Sequence, residues 1–240
     1  MPNRCFARNP SPRPRVSVRH ASSPPLFAML AFVTAMLVLA LLAATARAET
    51  RTLTGSYAVG SADKVDLDIP YAEITIEGVD SGPVRVRVKV ECREGGNCGE
   101  YLRAFKLESK TSGHTLKVKL DGGKLHWKDY DDCPRLTVVV QVPRALEVDL
   151  DMWAGEVDIR DLREDLSVDL GAGEITIHMP ERAVGTIEVN MAIGEATIHH
   201  GGRTQKYAGV YGGPIHWRNG TGTSGIEVNL WAGELDVSLD

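Results

Sequence analysis

The chain has 240 residues, with 27 Lys+Arg against 32 Asp+Glu for a formal net charge of −5, and 43% of its residues are hydrophobic. That balance excludes a disordered polyelectrolyte, and it excludes the clustered cations that a nucleic-acid surface needs. Four cysteines without C-x-x-C spacing exclude a disulfide-dense miniprotein and make a structural zinc site a weak reading.

Residues 1–48 read as a signal peptide. Arg4, Arg8, Arg13, Arg15 and Arg19 form a cationic start without one acid, an apolar run covers Leu26 to Ala44, and Ala46-Arg47-Ala48 precedes Glu49 as a small-residue cleavage pattern. The apolar run of 19 residues is also long enough to span a bilayer, so an uncleaved N-terminal anchor is the alternative, and the only membrane attachment expected. No cysteine follows the run directly, which argues against a lipid anchor. The expected compartment is the bacterial cell envelope, periplasmic or extracellular. Removing 1–48 takes away six cationic residues and no acid, leaving 21 against 32 and a net charge of −11. The remaining stretch, roughly 190 residues, suffices for one continuous domain with a substantial core.

Residues 49–145 read as its N-terminal β part. Val84-Arg85-Val86-Arg87-Val88-Lys89-Val90 and Leu116-Lys117-Val118-Lys119-Leu120 alternate apolar and cationic, the pattern of half-buried strands. Leu136-Thr137-Val138-Val139-Val140-Gln141-Val142 is apolar enough to be a strand buried on both faces. A short helical turn is expected around Glu100–Phe105. Cys92, Cys98 and Cys133 lie in this part, and an oxidising compartment suggests one disulfide among them. Cys92 and Cys98 bracket a turn-prone loop, which narrowly favours 92–98. Antiparallel pairing of the Val88 and Val138 strands would join 92 to 133 instead.

Residues 146–240 carry the dominant feature, a recurring unit best seen as Val168-Asp169-Leu170-Gly171-Ala172-Gly173-Glu174-Ile175-Thr176-Ile177. Near-copies begin at Leu150, Val189 and Val228, and a weaker one at Leu67 has Ala72 in place of the second glycine. Counted from the glutamate, the copies fall at 73, 156, 174, 195 and 234, so the last step of 39 leaves room for a degenerate copy between 200 and 225. Apolar and polar residues alternate in both halves, and the glycine marks a sharp corner. A unit of about twenty residues that cannot bury its own apolar face stacks on its neighbours, which predicts an all-β, β-solenoid or β-helix-like stack of strand–corner–strand repeats. A β-sandwich of hairpins is the alternative.

Stacking would align Glu73, Glu156, Glu174, Glu195 and Glu234. Such carboxylates repel unless a neighbouring cation, the corner's own amides or a bound calcium offsets them. A calcium ladder along Glu156, Glu174, Glu195 and Glu234 is thus a candidate metal site, although the dense glycine–aspartate pattern of calcium-binding solenoids is absent. Trp153 and Trp231 share one corner position and form a candidate ligand surface. A second echo, Gly122-Gly123-Lys124-Leu125-His126-Trp127 against Gly212-Gly213-Pro214-Ile215-His216-Trp217, offers His126, Trp127, His216 and Trp217 as a paired site or, alternatively, as indoles covering the core. His199 and His200 are adjacent on a strand and would face opposite ways. The acids repeat too uniformly to single out a catalytic pair, and no nucleophile-elbow, zincin or phosphate-loop motif occurs, so no enzyme and no cofactor is expected. The last copy ends the chain without a polar cap, which points to self-association or partner pairing through a C-terminal strand edge.

The repeated Val-Asp-Leu-Gly-Ala-Gly-Glu-Ile-Thr-Ile unit behind a signal segment resembles the bacterial putative-adhesin domain family of unknown function. The resemblance covers about residues 60–240 and implies a repetitive, β-solenoid-like envelope protein. It implies no catalytic or cofactor residues. The expectation is an adhesin-like binding or scaffold protein for an unknown envelope protein or glycan. A structural or sensory module that pairs with a protein through a strand edge is second, and a polysaccharide-active enzyme third.

Overall fold

The computed structural model describes residues 49–92, 99–122, 134–210, 214–218 and 222–240. The chain there is nearly all β: β1 (Thr50–Tyr57), β2 (Lys64–Val79), β3 (Val84–Glu91), β4 (Lys106–Ser112), β5 (Thr115–Asp121), β6 (Arg135–Pro143), β7 (Glu147–Arg160), β8 (Leu166–Met179), β9 (Val184–His200), β10 (Arg203–Val210), β11 (Ile215–Arg218) and β12 (Ser224–Leu239). One short helix, α1 (Gly99–Ala104), lies where the helical turn was expected. The 12 strands belong to one sheet, whose main path runs β1-β3-β6-β2-β7-β8-β12-β9-β10.

Its centre is five long strands, β2, β7, β8, β12 and β9, each parallel to the next. The copies of the unit stack in register: Glu73 against Glu156, Glu156 against Glu174, Glu174 against Glu234, and Glu234 against Glu195. Each strand turns at its corner residue, glycine in all but β2, and the inward-facing parity switches there. In β8, Leu166, Val168 and Leu170 are buried before the corner, then Ile175, Ile177 and Met179 after it. In β9 the switch is from Ile187 and Val189 to Ala196 and Ile198. A straight strand would carry one parity to its end and send the second set into water. The corner instead keeps both arms' apolar residues in one core. Each such buried aliphatic side chain contributes about 1.5–3 kcal/mol.

The two arms have separate neighbours beyond the central five. On the outer side of β2, β5 pairs residues 64–68 and β6 pairs 73–79, so the two outer strands meet β2 on either side of its corner. On the outer side of β9, β11 pairs 186–189 and β10 pairs 193–200, both antiparallel.

Four expectations change. Spatial order departs from sequence order: β12 lies between β8 and β9, whereas a simple solenoid would place consecutive coils side by side. The region expected to hide a degenerate copy contains β10 and β11, which run antiparallel over the two arms of β9. The C-terminal copy is therefore an interior strand paired on both sides, and the described edges fall at β1, β4, β10 and β11. Finally, β6 is buried on one face, with Val139 37% exposed on the other.

Candidate binding face

The corner is built by close approach of backbones. Gly155, Gly173, Gly194 and Gly233 take φ of 148°, 148°, 146° and 151°, conformations that side chains resist. A Cβ at Gly173 would stand 1.8 Å from the carbonyl oxygen of Gly155, and Gly155, Gly233 and Gly194 each face the next rung's carbonyl at 1.8–1.9 Å. Ala72 opens this series. Its φ is not positive and, among the described residues, no strand pairs with it on the outer side of β2, which explains why this copy carries a side chain.

Three rows of side chains run across the outer surface of these corners. The first is Asp68, Asp151, Asp169, Asn229 and Asn190, in register. The third is the glutamate row. Between them lies the position just past the last inward residue of the first arm, held by Pro70, Trp153, Gly171, Trp231 and Ala192 in spatial order. Trp153 is 76% and Trp231 66% exposed, and they flank Gly171 from the strands on either side. Both indoles are therefore exposed at the same corner position.

Charge is distributed unevenly along the acid rows. At the β2 end, Lys117 pairs with Asp66, Lys119 with Asp68, and Lys64 with Asp149 at 2.9 Å. Arg135 donates two hydrogen bonds to Glu73, at 2.6 and 2.8 Å. Its pKa is raised by that hydrogen bond and by the charge of Glu73, with Glu91 and Glu156 adding to it. At the β9 end, Asn190 donates to the Asn229 carbonyl oxygen at 2.9 Å, so the first row ends in amides. The middle keeps its acids. Asp151 has a raised pKa because of burial, then the charges of Asp68, Asp169, Asp149 and Asp66. Among the described residues, Glu73 is the glutamate of its row with an ion-pair partner, and no three His, Cys, Asp or Glu side chains gather as a metal site.

The second echo divides. His126 and Trp127 lie outside the described residues. His216 faces out and meets Glu188 at 3.3 Å, whereas Trp217 is 7% exposed and packs edge-on against His200, ring centroids 5.0 Å apart. Trp217 therefore belongs to the core and not to a ligand surface, because alternate residues of β11 face opposite sides. His199 faces the other way from His200, towards Thr204 at 3.0 Å and Asp236 at 3.2 Å. Cys92 is buried one residue past β3. The antiparallel β3–β6 pairing on which a 92–133 bridge depended is present as far as Glu91 against Arg135, while Cys98 and Cys133 lie outside the described residues. The apolar run of residues 26–44 also lies outside them; among the described residues no helix is long and apolar enough to cross a membrane.

The position of the Asp/Asn row holds only those two residue types in all five copies.

No family model matches the chain, and no curated protein matches it. Its fold is similar to a putative cell adhesion protein from Clostridium sporogenes, at 12% identity over 80% of this chain and 100% of that one, with a TM-score of 0.48. It is also similar to a putative adhesin from Bacteroides fragilis (11% identity, 78% and 97% covered, TM-score 0.30). A putative lipid binding protein from Parabacteroides distasonis is a further likeness (10% identity, 79% and 96% covered, TM-score 0.27). These scores are too low to transfer a residue or a role.

Proposed function

We propose that this chain is an exported, adhesin-like protein of the bacterial envelope that works by binding, through the outer face of its corners. The observation that carries this reading is the exposure of Trp153 and Trp231 at one register position, where burial would serve stability and exposure serves contact. The reading also draws on the leader-like residues 1–48 and on the repeated surface rows, which favour a broad contact area over a single cleft. In architecture we read the five-strand stack as solenoid-like in register, with β12 inserted out of order. Evenly spaced acids on an open surface give no cleft for two carboxyls to act on one bond, so no catalysis is proposed.

The test is binding of the labelled full chain to cell-envelope preparations. The double variant Trp153→Ala/Trp231→Ala is expected to lose about tenfold in affinity, as truncating two hot-spot aromatics does, with its melting temperature unchanged. Undiminished binding by that variant contradicts the proposal.

A further inference from the structure

The two exposed indoles stand on β7 and β12 with β8 between them, so their strands are two spacings apart, about 9.6 Å. At their level β8 has Gly171, which puts no side chain into the gap. A group seated over Gly171 lies about 5 Å from the backbone of each flanking strand, so an indole turned toward it comes within the roughly 6 Å over which its face attracts a cation.

The acid rows set the sign of what can enter. Lys64, Lys117, Lys119 and Arg135 neutralise the rows around β2, and Asn229 and Asn190 replace aspartate on β12 and β9. The acids left without a paired cation among the described residues include Asp151 and Asp169 on one side of the indoles and Glu174 and Glu234 on the other. They occupy β7, β8 and β12, the same three strands that form the slot. The pKa of Asp151 is raised by its burial first and then by the neighbouring charges of Asp68, Asp169, Asp149 and Asp66. A ligand with phosphate or carboxylate beside its cation would be repelled by both rows. A compact ammonium fits the charge, but a guanidinium fits better: it is planar, stacks on aromatic faces, and carries five donors in a fork that can reach carboxylates on either side.

Resting on the binding reading above, we propose that the Trp153–Gly171–Trp231 slot captures the guanidinium of an arginine side chain on an extended basic segment of a partner protein. The arginine lies between the indoles and donates to the Asp151/Asp169 and Glu174/Glu234 rows.

The experiment titrates the full chain with a blocked glycine peptide bearing one central arginine, followed by the indole N–H resonances of the tryptophans. A matched peptide carries citrulline, which keeps the shape and removes the charge. The arginine peptide is expected to bind about fivefold or more tightly than the citrulline peptide, the scale of an exposed cation–π contact. Trp153→Ala, Trp231→Ala and the charge variant Asp169→Asn/Glu174→Gln should each weaken it, and added salt should too. Equal binding of the two peptides, or arginine binding unaffected by either tryptophan variant, overturns the proposal. If a neutral oligosaccharide instead binds and the tryptophan variants lose it, the binding surface stands and the guanidinium assignment falls. Self-association abolished by Arg87→Ala would place the arginine on a second copy of this chain and overturn the separate partner.

Discussion

At the residue scale the corner separates two kinds of requirement. The glycines are fixed by backbone geometry, because a Cβ at Gly173 would sit 1.8 Å from a carbonyl oxygen. Gly173→Ala is expected to cost more than about 4 kcal/mol, the range reserved for severe core or backbone clashes, and a thermal melt should show the loss or a failure to fold. Ala72→Gly should cost about 1–2 kcal/mol, from chain entropy and the loss of a buried methyl. This distinction was half legible: the repeat marked the glycine, but only the pairing shows why the first copy escapes it. The aspartate row makes a second prediction. Asp151 has its pKa raised above 3.8, so its charged form is disfavoured in the folded state. The penalty is absent below the unfolded value and grows as pH rises through the raised one. Asp151→Asn would remove one charge from between Asp68 and Asp169, its neighbours in register, and should raise the melting temperature by about 1–4 °C at neutral pH. The gain should fade as pH falls to 3.8. A gain that persists in acid would show that charge is not its source.

At the scale of the element, alternation in β3, β5 and the two arms of each long strand was readable directly, because one face of each is wet and the other is core. The unit's stacking register followed from its repetition. The position of β12 did not, since parallel copies with nearly the same apolar pattern can exchange places in a stack without altering which face is buried. The antiparallel β10 and β11 were hidden for a related reason: the step of 39 fits two parallel periods as well as one antiparallel return. The His-Trp echo shows the limit of motif reading, for only the fold decides that Trp217 points inward and Trp153 outward. Trp217→Ala should cost about 3–5 kcal/mol, as emptying a buried aromatic site does. Trp153→Ala should remain within about 0.5 kcal/mol of the parent. Denaturant melts of the two variants check this, and equal losses would contradict the assignment of one indole to the core and the other to the surface.

On the scale of the whole molecule, the corner rows have an electrostatic gradient along the stack: paired with cations at Asp68 and Glu73 of β2, without a paired cation among the described residues at Asp151 and Glu156 of β7 and Asp169 and Glu174 of β8, and ending in an amide at Asn190 of β9. The sequence composition shows the excess of acid but not its placement, because the lysines that neutralise β2 come from β5, some fifty residues away in the chain. The same stacking places the indoles on the unneutralised rungs, so the surface that repels anions is also the one that presents aromatic area. A calcium ladder along the glutamates would make a different prediction, a melting temperature that rises with calcium and falls with chelator. The separated, outward carboxylates favour no such change beyond ordinary ionic screening. The most direct test reads the tryptophans individually by hydroxyl-radical footprinting of the full chain, free and bound to envelope material. Trp153 and Trp231 should oxidise readily when free and become protected on binding, while Trp217 stays slow in both states. Trp153 and Trp231 remaining equally reactive in the bound state would contradict the assignment of the corner face as the binding surface.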